Sequence, residues 1–463
     1  MTVMRARAGE SRALTCKTRY VTGRGNRKQA SCISVSVNVT QRATPRCGLP
    51  PGWIRKAHRV TVTTPAHIDS SAQADPSATR SAVSGLAPLA AIVLLGFLSI
   101  GAPLPVLSLY VHNELGFDAF TVGWVIGLQS LVTVLTRHWA GTIADRHGPK
   151  AAVLAGVPLA ATAGLFYLAS AWIPGTPLHR LGLLLLGRIV LGFGESLFLT
   201  GTMTWGIGRI GAARTGRVMA WQGIAIYAAF GLGAPLGLAI YQAQGFAGIG
   251  LLTLALPLIA LVIAWLLTPV PAPGGERAPF YKVIGLIWRP GTLLMLATVP
   301  FAGMAAFLPL DYAAHGWAHA GLAMTAFGVT YTAVRLVGSH WPDSYGAVRV
   351  VGISLAIEAA GQVLLWLAPT PSLAIAGAAL TGIGFSLVFP AMGVIATGQV
   401  PASQRGRAVG NFVAFFDIAA GLTGPVAGLL TGAFGYDVVF LIGAVATAAA
   451  GVLLPTIGRM KAG

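Results

Sequence analysis

Gly141-Thr142-Ile143-Ala144-Asp145-Arg146-His147-Gly148-Pro149-Lys150 is a polar break between two apolar runs, 119–140 and 149–171. Each run is long enough to cross a bilayer, which takes about 20 apolar residues. Asp145, Arg146 and Lys150 place charge at the break, and Gly148 before Pro149 is a helix stop followed by a helix start. The stretch therefore reads as the turn of a membrane-spanning helical hairpin. The same alternation extends in both directions. It predicts spans over 86–110, 119–140, 149–171, 181–207, 217–241 and 247–268, then 291–313, 321–339, 350–368, 372–398, 407–432 and 435–457. That makes twelve transmembrane helices in an all-α membrane protein.

Composition agrees. Of 463 residues, 55% are apolar and 10% charged, with a mean hydropathy of +0.73. A soluble chain carries about 25% charged residues, so this one cannot cover a water-facing surface. A soluble enzyme, a disordered protein and a disulfide scaffold are excluded. The 60 glycines and 28 prolines suit a membrane bundle, where both are frequent.

The formal charge of +18 is unevenly placed. Residues 1–84 hold fourteen basic and three acidic residues and all three cysteines, Cys16, Cys32 and Cys47. With no sustained periodicity, this tail is expected to be disordered. It reads as a basic cytoplasmic tail, an organellar transit peptide, or an upstream extension of a chain that starts near Val60 or Val62. Beyond it, fourteen of 17 Lys/Arg fall on one set of breaks and the C-terminus, among them Arg137, Arg146, Lys150, Arg209, Arg214, Arg217, Arg405 and Arg407. Only Arg180 falls on the opposite set. By the positive-inside rule both termini are expected in the cytoplasm. The charge thus reflects membrane orientation, and no nucleic acid partner is expected.

The Pro/Gly-rich break at 269–290 reads as a cytoplasmic linker between six-helix halves, 85–268 and 291–463. The halves repeat. At an offset of 190, Gly192, Gly194, Ser196 and Leu197 map onto Gly382, Gly384, Ser386 and Leu387, and Gly231, Leu232 and Pro235 onto Gly421, Leu422 and Pro425. At an offset of 198, Asp145 and Gly148 map onto Asp343 and Gly346. An even number of spans per half makes the repeat parallel, with its axis along the membrane normal.

The 141–150 stretch resembles the loop signature of the major facilitator superfamily. Arg188 with Gly192 and Gly194 resembles the family's helix-four motif. Gly231-Leu-Gly-Ala-Pro235 resembles the helix-five motif of its antiporters, with Ala234 where a glycine usually stands; Gly424-Pro425 in the second half is closer to that pattern. Gly194-Glu195-Ser196 with Trp205-Gly206 is similar to bacterial permeases of the drug or arabinose efflux type. The resemblance covers residues 85–463. It implies two pseudo-symmetric halves around a central cavity, alternating access, and a gate in which Gly141, Asp145, Arg146, Gly148 and Lys150, with Asp343 and Gly346, act near Arg405 and Arg407. Gly231, Pro235, Gly424 and Pro425 are expected to pack helices.

Charge inside a span is costly and marks candidate function. Arg188 and Glu195, seven residues apart, share a helix face about 10.5 Å apart along the axis. Glu195 near the midplane and Asp417 in span eleven are the candidates for proton exchange. Span one carries no acid, unlike many proton-coupled relatives. Gln222 and Asn411 are further candidates for substrate or proton, and Gln129, Trp205, Tyr227, Tyr331 and Phe415 are expected to supply polar and aromatic groups to the cavity. Glu358 reads as peripheral, Asp311 as lying near a cavity mouth, and Arg335 as a partner for Asp343. Gly206-Ile-Gly208-Arg-Ile-Gly211 spells a dinucleotide fingerprint but follows a membrane helix, not a strand. His315 and His319 lack an evident third ligand, so no metal is expected.

The expected function is secondary transport of a small drug- or sugar-like molecule, with proton-coupled efflux by antiport first. Facilitated or symported uptake of a sugar or metabolite is the alternative, followed by a transport-inactive sensor or enzyme on the same fold. The chain is expected to be a monomer in a bacterial inner membrane, to need no cofactor, and not to be an enzyme.

Overall fold

The computed structural model describes residues 14–18, 33–37, 76–211, 214–272, 280–399 and 405–458. Within the tail, β1 (Leu14–Thr18) and β2 (Ile33–Val37) pair antiparallel, with Leu14 opposite Val37. The remainder of the tail before Pro76 lies outside the described residues.

Among the described residues, eleven helices are long and apolar enough to cross a membrane. One of them, Thr215–Leu266, has 52 residues. As a single rod it would be about 78 Å long, more than twice the hydrocarbon thickness. It turns back at Gly245, where φ is 66° and ψ −165°, a conformation open to glycine. Divided there, it is two spans and the crossings number twelve.

Helix α1 runs Pro76–Gly101 and continues through Pro103–Leu109 into a π turn at Tyr110–Glu114. Next come α2 (Ala119–His147), α3 (Pro149–Trp172) and α4 (Pro177–Ile210). Helices α5 and α6 are residues 215–244 and 246–266. The second half holds α7 (Phe280–Ala314), α8 (Ala320–Gly338), α9 (Ala347–Trp366, after a π turn at Pro342–Gly346), α10 (Pro371–Phe385 with Val388–Gly398), α11 (Arg405–Phe434) and α12 (Val438–Gly458).

Two boundaries differ from expectation. Helix α1 begins at Pro76, inside the stretch assigned to the tail, because a proline at the first helical position is preorganised to start one. Helix α7 begins at Phe280, inside the stretch assigned to the linker, and carries Pro290 within it. Proline inside a membrane helix costs one backbone bond without ending the helix when neighbours re-satisfy the freed groups.

The helix ends follow local chemistry. Asp118 caps α2, accepting from the Thr121 backbone N–H at 2.9 Å and from its hydroxyl at 2.6 Å. Gly148, with φ 90°, separates α2 from α3; Gly346, with φ 89°, does the same before α9. The two positions paired by the 198 offset thus share one backbone conformation that other residues avoid. Lys150 donates to the carbonyls of Trp265 and Leu267 at 2.8 and 2.6 Å, placing a cation at the carbonyl end of α6.

The internal repeat also appears in the packing. A Cβ at Gly192 of α4 would meet the Gln129 carbonyl of α2 at 2.4 Å, and one at Gly382 of α10 would meet the Phe327 carbonyl of α8 at 2.4 Å. Gln129 and Phe327 are themselves 198 apart.

Between the halves, the meeting helices are α2 with α11 and α5 with α8. Gly127 faces Gly421 and Gly123 faces Gly424, while Gly231 faces Gly328 and Pro235 faces Gly321. Nearer the ends of α1 and α7, the Ser108 hydroxyl donates to the Ala306 carbonyl at 2.6 Å, and Tyr436 meets His112 at 3.3 Å. These contacts close the bundle at the end away from the 141–150 turn.

Candidate functional site

Three charged side chains meet where the halves touch. Glu195 comes from α4, Arg137 from α2 and Asp417 from α11. Arg137 pairs with Asp417 across the two halves. Glu195, only 7% exposed, accepts at one oxygen, Oε2, from Gln129 Nε2 at 2.7 Å and from the Thr133 hydroxyl at 3.1 Å. Its direct donors are neutral, and both belong to its own half. The Thr133 hydroxyl is also 3.0 Å from the Gln129 and Gly192 carbonyls, so the local fold of α2 against α4 sets its position.

A cavity of about 60 Å³ opens beside this cluster. Glu195, Asp417, Gln129, Ser130 and Arg188 supply its polar wall, and Phe97, Leu104, Phe230, Phe301 and Phe416 its apolar wall. About one water needs 10–15 Å³ by this measure, so the space holds a few waters. The halves are drawn together around it.

Arg188 and Glu195, too far apart along α4 for a direct bridge, are expected at two points of one cavity. Both line the cavity, but Arg188 is turned to α2. Its Nε and Nη2 donate to the Val125 and Ile126 carbonyls at 2.8 Å each, and Nη1 reaches the Tyr167 hydroxyl at 3.4 Å. A helical carbonyl has a second lone pair to accept such a bond. The cation of the cluster is Arg137 instead, which had been assigned to a cytoplasmic break. It lies within α2, two turns or more before the helix ends at His147.

The other expected residues distribute as follows. Gln222 donates to the Thr202 hydroxyl at 3.1 Å within its own half and lies outside the cavity wall. Asn411 is buried on α11, also outside that wall. Trp205 is fully buried and donates to the Thr268 carbonyl, so it seals the end of α6 and not the cavity. Phe416, not Phe415, lines the cavity. Tyr227 and Tyr331 lie with ring centroids 3.8 Å apart, tilted by 32°, within an aromatic cluster that includes Phe301, Phe327 and Phe385. Arg335 does not turn to Asp343; it donates to the Tyr331 hydroxyl and lies over that ring at 5.2 Å. Asp343 is exposed in its π turn. Glu358 is fully buried on α9, and neither carboxyl oxygen has a hydrogen-bond partner among the described residues.

Of the gate residues, Gly141 and Gly148 are buried and Asp145 half-buried near the end of α2, while Arg146 is exposed. The side chains of Arg405 and Arg407 lie outside the described residues.

Gln129, expected to supply a polar group to the cavity, lines it, whereas Arg137 was placed at a break. A basic residue ten positions before the end of a 29-residue helix lies within the span, and that spacing was the available signal.

The sequence matches the Major Facilitator Superfamily over residues 89–319 and 307–459. The chain belongs to the major facilitator superfamily. It is an integral membrane transporter of a small molecule, not an enzyme. An uncharacterised MFS-type transporter of Burkholderia mallei is 45% identical over 361 residues, covering 78% of this chain and 88% of that protein. One from Salmonella typhimurium is 41% identical over 356 residues, covering 77% and 92%. Among solved structures, the nucleoside transporter NupG superposes with a TM-score of 0.63 at 17% identity, covering 80% of this chain and 99% of that one. A bacterial homologue of the human lysosomal transporter Spinster, inward-facing and occupied, gives 0.65 at 13% identity, covering 81% and 96%. Such identities bear on the fold alone.

Proposed function

We propose that this transporter exports a small drug- or sugar-like molecule in exchange for protons, with Glu195, Asp417 and Arg137 as the coupling centre. The observation that carries the reading is the cluster itself: two carboxyls and one guanidinium at the meeting of the halves, beside the central cavity. Fully ionised, the three groups sum to one negative charge, and a single proton neutralises them. Buried charge is retained where it is paired or used, and this cluster has one acid too many for pairing alone. Gln129 suits an acid that changes state. Its Nε2 donates to a carboxylate, and its Oε1, which has no partner among the described residues, would accept from a carboxylic acid if the amide turned over.

The bias of Lys and Arg supports placing the 141–150 turn, and both termini, in the cytoplasm of a bacterial inner membrane. The closed end then faces outward. The gate role of Asp145, with Arg405 and Arg407, belongs to the same proposal and rests on the family signature.

The test is flux in reconstituted vesicles across a panel of drug-like and sugar-like solutes, with and without an imposed proton gradient. Export coupled to protons predicts that solute moves against the direction of proton flow. Glu195→Gln keeps shape and removes titration. It is expected to abolish the response to the gradient while counterflow exchange persists. Unchanged pH dependence in that variant would overturn the role of Glu195. Solute moving with protons would replace export by symported uptake.

A further inference from the structure

At the closed end of the bundle, Asp311, His315 and Asp437 converge. Asp311 and His315 are one turn apart near the end of α7, and Asp437 immediately precedes α12. One ligand atom from each lies within 4.8 Å of the other two. The site is formed by two segments more than a hundred residues apart in sequence, so helix periodicity alone does not produce it. The sequence pairs His315 with His319 and offers that pair no evident third ligand. The partner of His315 is Asp311, one turn earlier and not later, and Asp437 completes the set.

Asp311 supplies the observation that points to a ligand. It is 4% exposed, and its Oδ1 is buried with no hydrogen-bond partner among the described residues. That oxygen is 3.5 Å from His315 Nδ1, too far for a good hydrogen bond. The spacing suits two ligands of one ion. With bonds of about 2.1 Å, adjacent ligands on a tetrahedral metal stand about 3.4 Å apart. The imidazole is held in place by stacking on Trp317 at 4.5 Å. Nδ1 also lies 3.0 Å from the Asp311 carbonyl, a bond that a protonated Nδ1 makes when no metal is bound.

We propose that Asp311, His315 and Asp437 bind a divalent transition-metal ion of the zinc type. One imidazole and two carboxylates are borderline donors suited to such an ion, and the two carboxylates neutralise its charge. Calcium and magnesium are disfavoured, because they take six or more oxygen ligands. Half-exposed His315 leaves a route for the ion and a fourth position for water. The bound metal would fix the turn before α12. Tyr436 of that turn stacks on Phe307 and meets His112 of the other half, so occupancy would hold a contact that closes this end.

The test uses the full chain with Cys16, Cys32 and Cys47 changed to serine, so that the tail thiols do not contribute. The protein is purified in detergent, stripped with a chelator and titrated with zinc chloride by calorimetry, with bound metal counted by elemental analysis. One zinc per chain is expected. Asp311→Asn and Asp437→Asn are expected to weaken binding at least about tenfold, and His319→Gln to leave it unchanged. Cobalt added to the stripped parent protein, which needs no further variant, should develop the visible absorption of a tetrahedral or five-coordinate site. No stoichiometric zinc, equal affinity in the aspartate variants, or calcium binding as tightly as zinc would each overturn the proposal.

Discussion

Gly127→Ala should shift the transporter away from the state described here. The new Cβ would sit 2.1 Å from the Gly421 carbonyl oxygen, where ordinary contact begins at 3.4 Å. Helices α2 and α11 would have to part by about 1.3 Å at that point. Overpacking of this kind costs about 1–3 kcal/mol. The three nearest atoms all belong to Gly421, in the opposite half. The strain therefore exists only while the halves meet at this end and vanishes when they separate. A cost of about 1–2 kcal/mol in one state moves the balance between states about 5- to 30-fold. Gly192→Ala is the control: its Cβ meets the Gln129 carbonyl at 2.4 Å, but α4 and α2 belong to one half. That variant should lower stability without moving the balance. Spin labels at Asn113→Cys and Thr370→Cys, on opposite halves and in a background without the tail cysteines, report the separation by pulsed electron resonance. A longer-distance population should grow in Gly127→Ala and not in Gly192→Ala. Identical distance distributions in parent and Gly127→Ala would refute the view that the glycine contacts hold this end closed.

Two further outcomes follow from named contacts. Arg137→Gln leaves Asp417 buried without its cation and should cost about 3–5 kcal/mol; adding Asp417→Asn should recover most of it, and strictly additive losses in thermal melting would rule out the pairing. Asp118→Ala removes the cap of α2 and should cost about 0.5–2 kcal/mol at neutral pH. The hydroxyl and backbone N–H of Thr121 hold the Asp118 carboxyl below its ordinary value of 3.8, so its contribution is present above that pH and fades as pH falls through the lowered value. The melting difference between parent and variant should therefore close in acid, and a gap that persists there would show that the ionised carboxyl is not what stabilises the helix.

The spans were legible because the bilayer imposes a length on every crossing. Where helix follows helix with almost no loop, the length argument still divides residues 217–268 into two spans, and the backbone breaks between them at Gly245. The repeat was legible because Gly148 and Gly346 must adopt one restricted conformation, and Gly192 and Gly382 one close approach. Glu195 stood out because a carboxyl at midplane depth has few structural reasons to be there. The cation of its cluster was not legible, for a geometric reason. Seven residues along α4 place Arg188 on the same face, but periodicity does not say which neighbouring helix offers carbonyls. The α2 backbone does, and Arg188 is taken. Arg137 meets an acid 280 residues away, a pairing that depends on how two halves dock. The Asp311, His315 and Asp437 cluster was hidden for the same reason, since its third member comes from a turn that only folding brings near.

The division of the charged cluster between the halves bears on how a proton could drive motion. Glu195, Gln129, Thr133 and Arg137 all belong to the first half, and Asp417 to the second. When the halves rock, the donors to Glu195 travel with it, whereas the pairing of Arg137 with Asp417 must stretch or break if α2 and α11 separate there. The guanidinium then has Glu195 as the acid within its own half. Coupling requires that proton affinity differ between conformations, and a contact preserved in both conformations cannot supply that difference. The inter-half pair can. On the proposed mechanism, Glu195 and Asp417 therefore have distinct duties: Asp417 reports whether the halves meet along α2 and α11, and Glu195 faces the cavity where solute competes for the same space. Asp417→Asn should loosen the dependence of conformation on pH in the Asn113 and Thr370 label pair even with no solute present, whereas Glu195→Gln should alter it mainly when solute is bound. Equal effects of the two variants with and without solute would show that the acids act as one site and that the division between halves carries no mechanical meaning.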